Sequence, residues 1–472
     1  MKNIIKNFSY SFSANIITLI ISLLSIIIIP KIIGVEEYGY WQIYMFYVSY
    51  LGFLYFGHAD GVYLKYGGKE YKNLDKPLFV SQFWLLIAFE ILISAVFIIY
   101  SLFFVDNKDR AFILLIVSIN IVIILPKALL QFVLLATNRI NENARSIMLE
   151  RILYGVIVIA LIVIGVRDYK VLVSVDLFAK IISFMVTIYY CKEIVRGKTA
   201  SLKMGLLEAF DNVKVGINLM FSNIASRSII GIVRFGIEKN WDVITFGKIS
   251  LTLSVSNMLM LFINAVGTVL YPVLRTTAKE KLPIIYTQMR NALIISFLGM
   301  VVVYYPASSI LSSWLPKYSE SLIYMALLFP ICLYESKMSM LVITYFNTLR
   351  KEKVMLKINL VILALAVITT CISIYLFDSL TLTVLSITIL LAIRCVISEV
   401  IISKILKINL MSDIILELVM TIAFIVFAWY VGGTGGMACY LLLYLVYAYL
   451  KRKDIKELVL FVLSILKRRA TL

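Results

Sequence analysis

The chain has 472 residues, 62% of them hydrophobic, a mean hydropathy of +0.97 and a net charge of +18. That composition excludes a soluble globular protein, in which the apolar share is ~45–50%. The basic excess needs no nucleic acid: loops rich in Lys and Arg orient membrane helices and draw anionic inner-leaflet lipid.

Fourteen apolar stretches follow in chain order, most of them close to the ~20 residues that cross a bilayer core. They are Tyr10–Pro30, Gly39–Gly57, Leu78–Phe104, Ala111–Ala136, Ala144–Val166, Val171–Tyr190 and Val213–Phe235. The series continues with Ile244–Thr268, Ala292–Trp314, Ser319–Leu349, Val354–Phe377, Leu382–Leu406, Ile414–Val431 and Met437–Leu450. An even number of spans puts both termini on one side. The N-terminus, the even-numbered loops and the tail hold 30 Lys and Arg residues, against 8 in the odd-numbered loops. Both termini are therefore expected in the cytoplasm. The first apolar run is full length and lacks a small-residue cleavage pattern, so it is expected to remain as a helix. Near the end, Ile455–Leu466 is apolar and basic, and reads as an amphipathic helix along the cytoplasmic interface.

The five cysteines lack ligand spacing, and His58 is the only histidine, which argues against zinc sites and Ser-His-Asp chemistry. No phosphate-binding loop is present, so a nucleotide-driven pump is not expected, nor any cofactor. The external loops, such as Val105–Arg110 and Gly432–Gly436, are too short for a catalytic domain. Transport remains as the leading class.

The spans carry polar and basic residues that hydrocarbon rejects at ~2.5–3.5 kcal/mol per charge at the helix centre. Ser11, Asn15, Thr18, Ser22 and Ser25 share one helical face of the first span; Asn120, Lys127, Gln131 and Asn138 share one of the fourth. The seventh repeats the pattern with Asn223, Arg227 and Arg234, and the eighth with Ser250, Ser254, Asn257, Asn264 and Thr268. Such stripes also serve as packing glue between helices. The intramembrane cations Arg227, Lys248, Lys127, Lys180 and Lys337 are candidates for a cationic cavity, with Asn15, Asn223, Asn257 and Asp60 as its polar lining. Ion pairing inside the fold is the competing explanation. Lys337 lies two residues from Glu335, Arg394 lies five from Glu399, and Lys248 sits near enough to a helix end to snorkel. Buried acids such as Glu90 and Asp176 are possible proton carriers.

A weak self-similarity recurs at an offset of 208, pairing Asn15 with Asn223, Gly39 with Gly247 and Tyr63 with Tyr271. With the spans dividing as six, six and two, it predicts an N-terminal six-helix bundle (1–200) and a C-terminal six-helix bundle (201–410). Two extra helices and a basic cytoplasmic tail (411–472) follow. In parallel repeats of this kind, substrate sites lie near the midplane.

Several motifs carry a family resemblance. Ser13-Ala14-Asn15 followed by Ile33-Gly34-Val35-Glu36-Glu37-Tyr38-Gly39 resembles the polysaccharide-exporter branch of the multidrug/oligosaccharidyl-lipid/polysaccharide superfamily. The segment Gly57–Gly68, with Asp60-Gly61-Val62-Tyr63-Leu64-Lys65-Tyr66, is similar to one in Wzx-type O-antigen and capsule-repeat flippases. Thr137-Asn138-Arg139-Ile140, Phe246-Gly247-Lys248 and Tyr271-Pro272-Val273-Leu274-Arg275 add to it, with Lys65 and Ile33 as mild departures. The resemblance implies an all-α polytopic membrane protein of about 14 transmembrane helices, two six-helix bundles in a MATE-like V plus two peripheral helices. It also implies an undecaprenyl pyrophosphate lipid carrier bearing one oligosaccharide repeat unit, in the bacterial inner membrane. Membrane lipid, and other polysaccharide-assembly membrane proteins, would be its partners. Another lipid-linked glycan, a multidrug antiporter of the same fold and, from a different class, a repeat-unit polymerase remain the alternatives.

Overall fold

The computed structural model describes residues 16–258 and 279–456. Asn15, the Ser13–Asn15 and Tyr271–Arg275 motif residues and nearly all of the expected tail helix lie outside them. All regular secondary structure among the described residues is helical. Hydrocarbon offers no partner to backbone N–H and C=O groups, so each apolar stretch satisfies its own within a helix.

The elements run α1 (Ile16–Ile32), α2 (Val35–Tyr50), α3 (His58–Tyr66), α4 (Lys76–Phe104), α5 (Lys108–Ala136), α6 (Ile140–Ile164) and α7 (Tyr169–Tyr190). After α8 (Leu202–Asn240) comes α9, described over 243–258. The chain continues through α10 (Leu282–Trp314), α11 (Met325–Thr348), α12 (Lys353–Leu376), α13 (Leu380–Leu406), α14 (Met411–Val431) and α15 (Gly433–Leu450). Among the described residues, 11 helices are long and apolar enough to cross a membrane; the other three expected spans fall on α1, α2 and α9. Side-chain oxygens of Asp75, Asn107, Asp168 and Ser379 cap the first turns of α4, α5, α7 and α13, accepting backbone N–H groups that have no intrahelical partner.

The chain forms two compact units, one up to Ile224 together with Asp242–Gly247, the other comprising Ala225–Trp241 and the remainder from Lys248. In the first unit α5 is central: α4 and α5 form an antiparallel hairpin, and α2, α3, α6 and α7 also pack on α5. In the second unit α13 packs against α11 and α12, while α10, α14 and α15 pack together. Each unit contains buried polar side chains far from its helix ends.

Three expectations change. The second span breaks after Tyr50 into a tight turn, where Phe56 (φ 50°) and Gly57 (φ 79°) adopt left-handed backbone before α3 begins. The seventh span starts at Leu202 rather than Val213, because the polar first turns of α8 dock on α3 and α4. There Glu208 accepts from Lys65 and the Tyr66 hydroxyl at 2.7 and 2.6 Å, and Asn212 donates to Gln82 at 2.7 Å. Arg290, counted above with the cytoplasmic loops, lies inside α10 and is buried.

Without a hydrophobic force between helices in lipid, close approach through small residues carries the packing. The repeat-related glycines meet each other: a Cβ on Gly247 would stand 2.7 Å from the Gly39 Cα, and one on Gly39 would strike the Val243 carbonyl oxygen. A second close approach joins α3 to α8, where a Cβ on Gly61 would strike the Asn212 backbone. Gly39→Val is therefore expected to lower stability by about 1–3 kcal/mol, the usual overpacking cost. Thermal unfolding of the purified variant in detergent measures this, and an unchanged midpoint would contradict the close approach.

Candidate functional site

The intramembrane cations divide by burial: Lys127, Lys180 and Lys337 are buried, Lys248 is half-buried and Arg227 is exposed. In the first unit, Lys180 on α7 is ion-paired with Asp176 one turn earlier, and donates to the Tyr44 hydroxyl at 3.4 Å. Tyr44 on α2 donates to Asp176 Oδ2 at 2.6 Å and accepts from Asn120 on α5 at 3.1 Å. Lys127, also on α5, pairs with Glu150 on α6. Lys180, Asp176 and Lys127 are buried and Glu150 is partly buried; the Lys127–Glu150 pair joins α5 to α6, and the Tyr44–Asp176 hydrogen bond joins α2 to α7.

The second unit holds a larger cluster. Lys337 Nζ on α11 lies 2.6 Å from Glu399 Oε2 on α13 and 2.6 Å from Glu417 Oε1 on α14. Arg290 on α10 donates from Nε to Glu399 Oε1 at 2.7 Å and from a terminal nitrogen to Glu417 Oε2 at 3.0 Å. All four side chains are at most 2% exposed. Two cations and two carboxylates leave no net charge. At the edge, Asp413 lies 3.8 Å from Arg290 and accepts from Lys451 at 2.5 Å. A π-helical turn, Met338–Val342, follows Lys337 directly and sets its place on α11. Glu417 was missed in the sequence, although an acid three residues inside the Ile414–Val431 span is the signal that should have found it.

Arg394 on α13 forms a separate buried site. Its guanidinium donates to Asn359 Oδ1 at 2.9 Å, to Glu335 Oε1 at 3.0 Å and to the Ser226 hydroxyl at 2.7 Å. The two nearby acids are thus exchanged relative to their sequence spacing. Glu335 serves Arg394, and Glu399 serves Lys337.

The remaining candidates have a different setting. Arg227 and Asn223 are exposed on α8, one helical turn apart, with Arg227 next to the Ser226 that anchors Arg394. Lys248 and Asn257 are half-buried on α9. Lys248 lies 3.5 Å from Glu320, whose side chain is 88% exposed, so water screens most of that pair. Asp60 is buried on α3, with Oδ2 lacking a hydrogen-bond partner among the described residues. The structure therefore brings Lys180 together with Asp176, and Lys337 with two glutamates. Among the described candidates, it places Arg227, Asn223, Lys248 and Asn257 outside those clusters. No group of metal-ligating side chains occurs among the described residues.

Removing one member of a buried cluster strands its partner's charge, at about 3–5 kcal/mol, whereas replacing both members with apolar residues is often tolerated. Lys337→Leu and Glu417→Leu should each sharply reduce the amount of folded protein. The double variant should recover most of it. Fluorescence-detected size-exclusion chromatography of the three variants decides this, and a double variant no better than the singles would contradict a closed charge cluster.

No family model and no curated protein matches the chain. Solved structures do. One is the lipid II flippase MurJ in an inward closed conformation, at TM-score 0.63 and 15% identity, with 96% of this chain and 100% of that chain covered. Another is an inward-facing multidrug resistance MATE family transporter of the MOP superfamily, at TM-score 0.59 and 12% identity, covering 83% and 99%. At such identities the likeness concerns the fold alone. The chain is a multi-pass membrane protein with the transporter fold shared by MurJ and the MATE proteins.

Proposed function

We propose that the chain moves undecaprenyl-pyrophosphate-linked oligosaccharide repeat units, of the O-antigen or capsule type, from the inner to the outer leaflet of the bacterial inner membrane by alternating access. The observation that carries this reading is the exposure of Arg227 on a membrane helix, with Asn223 one turn away. Lys127, Lys180, Lys337, Arg290 and Arg394 are held by carboxylates of their own units. Arginine presents a planar fork of donors that fits phosphate oxygens two at a time. Lys248 would add a second, weaker positive charge, and Asn223 and Asn257 would offer amides to sugar hydroxyls. Asp60 is a further candidate for polar contact, as is Asn15, which lies outside the described residues. Lys127, Lys180 and Lys337 act in this reading by holding the helices that carry it.

In this reading the cycle is one of alternating access, with both termini in the cytoplasm. An inside-negative potential favours outward movement of an anion by ~2.3 kcal/mol per charge per 100 mV, so no nucleotide is needed. The likeness to a lipid II flippase supports a second reading, in which the same diphosphate carrier bears a cell-wall precursor instead of a polysaccharide repeat.

Reconstitution into proteoliposomes with undecaprenyl-pyrophosphate glycans of either type tests both. Losing a charge-assisted contact removes about 1.5–3 kcal/mol, so Arg227→Ala should slow flipping at least about tenfold. Arg227→Lys should retain part of the rate, and Lys248→Ala should have a smaller effect. Wild-type rates in a well-folded Arg227→Ala protein would overturn the proposal, and the preferred glycan separates the two readings.

A further inference from the structure

Glu90 is a buried acid that the clusters above do not use. It lies at the midpoint of α4, fourteen residues from Lys76 and fourteen from Phe104. It is fully buried, and neither carboxylate oxygen has a hydrogen-bond partner among the described residues. An ion in that position would have no compensating partner among the described residues, in contrast to Glu399 and Glu417.

The register of the α4–α5 hairpin shows what Glu90 faces. Ser94 donates its hydroxyl to the Ser118 carbonyl at 2.8 Å, and Ser101 donates to the Ala111 carbonyl at 2.8 Å. Glu90, Ser94 and Ser101 are spaced by four and seven, so they form one stripe along α4 toward α5. Residues level with each other in this antiparallel pair have numbers that sum to 212, which sets Val122 level with Glu90. Val122 is also the residue whose carbonyl would accept the N–H of position 126 in an unbroken helix. Position 126 is proline, which has no N–H, so that carbonyl lacks its helical donor. A carboxylic acid O–H can donate to it; a carboxylate cannot.

The titratable groups on the surrounding elements are engaged elsewhere. Lys127 of α5 pairs with Glu150, His58 of α3 bonds Gln82, and Lys65 pairs with Glu208 of α8. Lys76, at the start of α4, pairs with Glu193 of the short Lys192–Val195 helix. Asp60 of α3 carries the same sign as an ionised Glu90 and would oppose it. Nothing among these neighbours stabilises a negative charge at Glu90.

We propose that Glu90 is a proton-binding site, a neutral carboxyl in the structure described here that releases its proton only when α4 and α5 part enough to admit water. Release gives a carboxylate and a proton to water, and reprotonation from water restores the neutral acid before the helices close again. A transporter with this device couples its cycle to protons. The coupling step rests on the transport reading above; the protonation state does not.

Infrared spectroscopy of the full-length protein in lipid reads protonation directly, through the C=O stretch of protonated carboxyl groups. At neutral pH the wild type should show such a band. It should be absent from Glu90→Gln, shifted in Glu90→Asp and lost from the wild type as pH is raised. Identical spectra for wild type and a folded Glu90→Gln at neutral pH would overturn the site, and the Asp variant keeps the test open if Gln fails to fold. For coupling, an imposed proton gradient should change wild-type flipping in proteoliposomes and leave Glu90→Gln insensitive. A Glu90→Gln protein that responds like the wild type would overturn coupling through this residue. If the wild type flips no lipid-linked glycan, the proposed function fails, and the infrared result decides the proton site alone.

Discussion

A charge placed in hydrocarbon must be neutralised where it stands, and that constraint organises both units of this protein. The second unit answers it with Arg290, Lys337, Glu399 and Glu417, contributed by α10, α11, α13 and α14. The four charges sum to zero, and each cation reaches both carboxylates. Such a cluster adds little net stability over a well-packed apolar core. Its effect is to make one helix register far better than its neighbours, since a slip of one turn would leave a charge unpaired. The helix pair α14–α15 is held to the preceding bundle through Glu417 in this way, and its placement depends on Lys337 and Arg290.

The same constraint sorts the polar residues by role. Lys180 with Asp176 and Tyr44, Lys127 with Glu150, and Arg394 with Glu335 and Asn359 are closed arrangements that satisfy their own charge. Arg227 and Lys248 have a wetter setting, which is what a site needs if it is to meet an anion that arrives and leaves. Glu90 answers the constraint differently. With no hydrogen-bond or ion-pair partner among the described residues, the carboxyl would avoid the cost by giving up its charge. Buried pairs would therefore build the units, accessible cations would meet the substrate, and a neutral acid would respond to protons.

Hydropathy located the helices well because membrane length and backbone satisfaction leave few options. The expected Leu382–Leu406 and the observed Leu380–Leu406 differ by two residues. It failed where polar residues are helical for tertiary reasons. The first turns of α8 are polar and still form a helix, because Glu208 and Asn212 have partners on α3 and α4. Arg290 looked like a loop residue for the same reason: its neutralising partners are 109 and 127 positions away. Charge pairing was legible as a need but not as a match. Proximity in sequence pointed Arg394 to Glu399 and Lys337 to Glu335, and the fold exchanged them. The glycine repeat was legible as a pattern, while the mutual contact of Gly39 and Gly247 required the structure.

The central claim is that this fold carries a lipid-linked diphosphate glycan across the membrane. The most direct measurement is the sidedness of lipid-linked repeat units in cells depleted of the protein. The account predicts that finished units accumulate facing the cytoplasm and that surface polysaccharide is lost. Units that reach the outer face and remain unpolymerised would place the protein after the flipping step and contradict it.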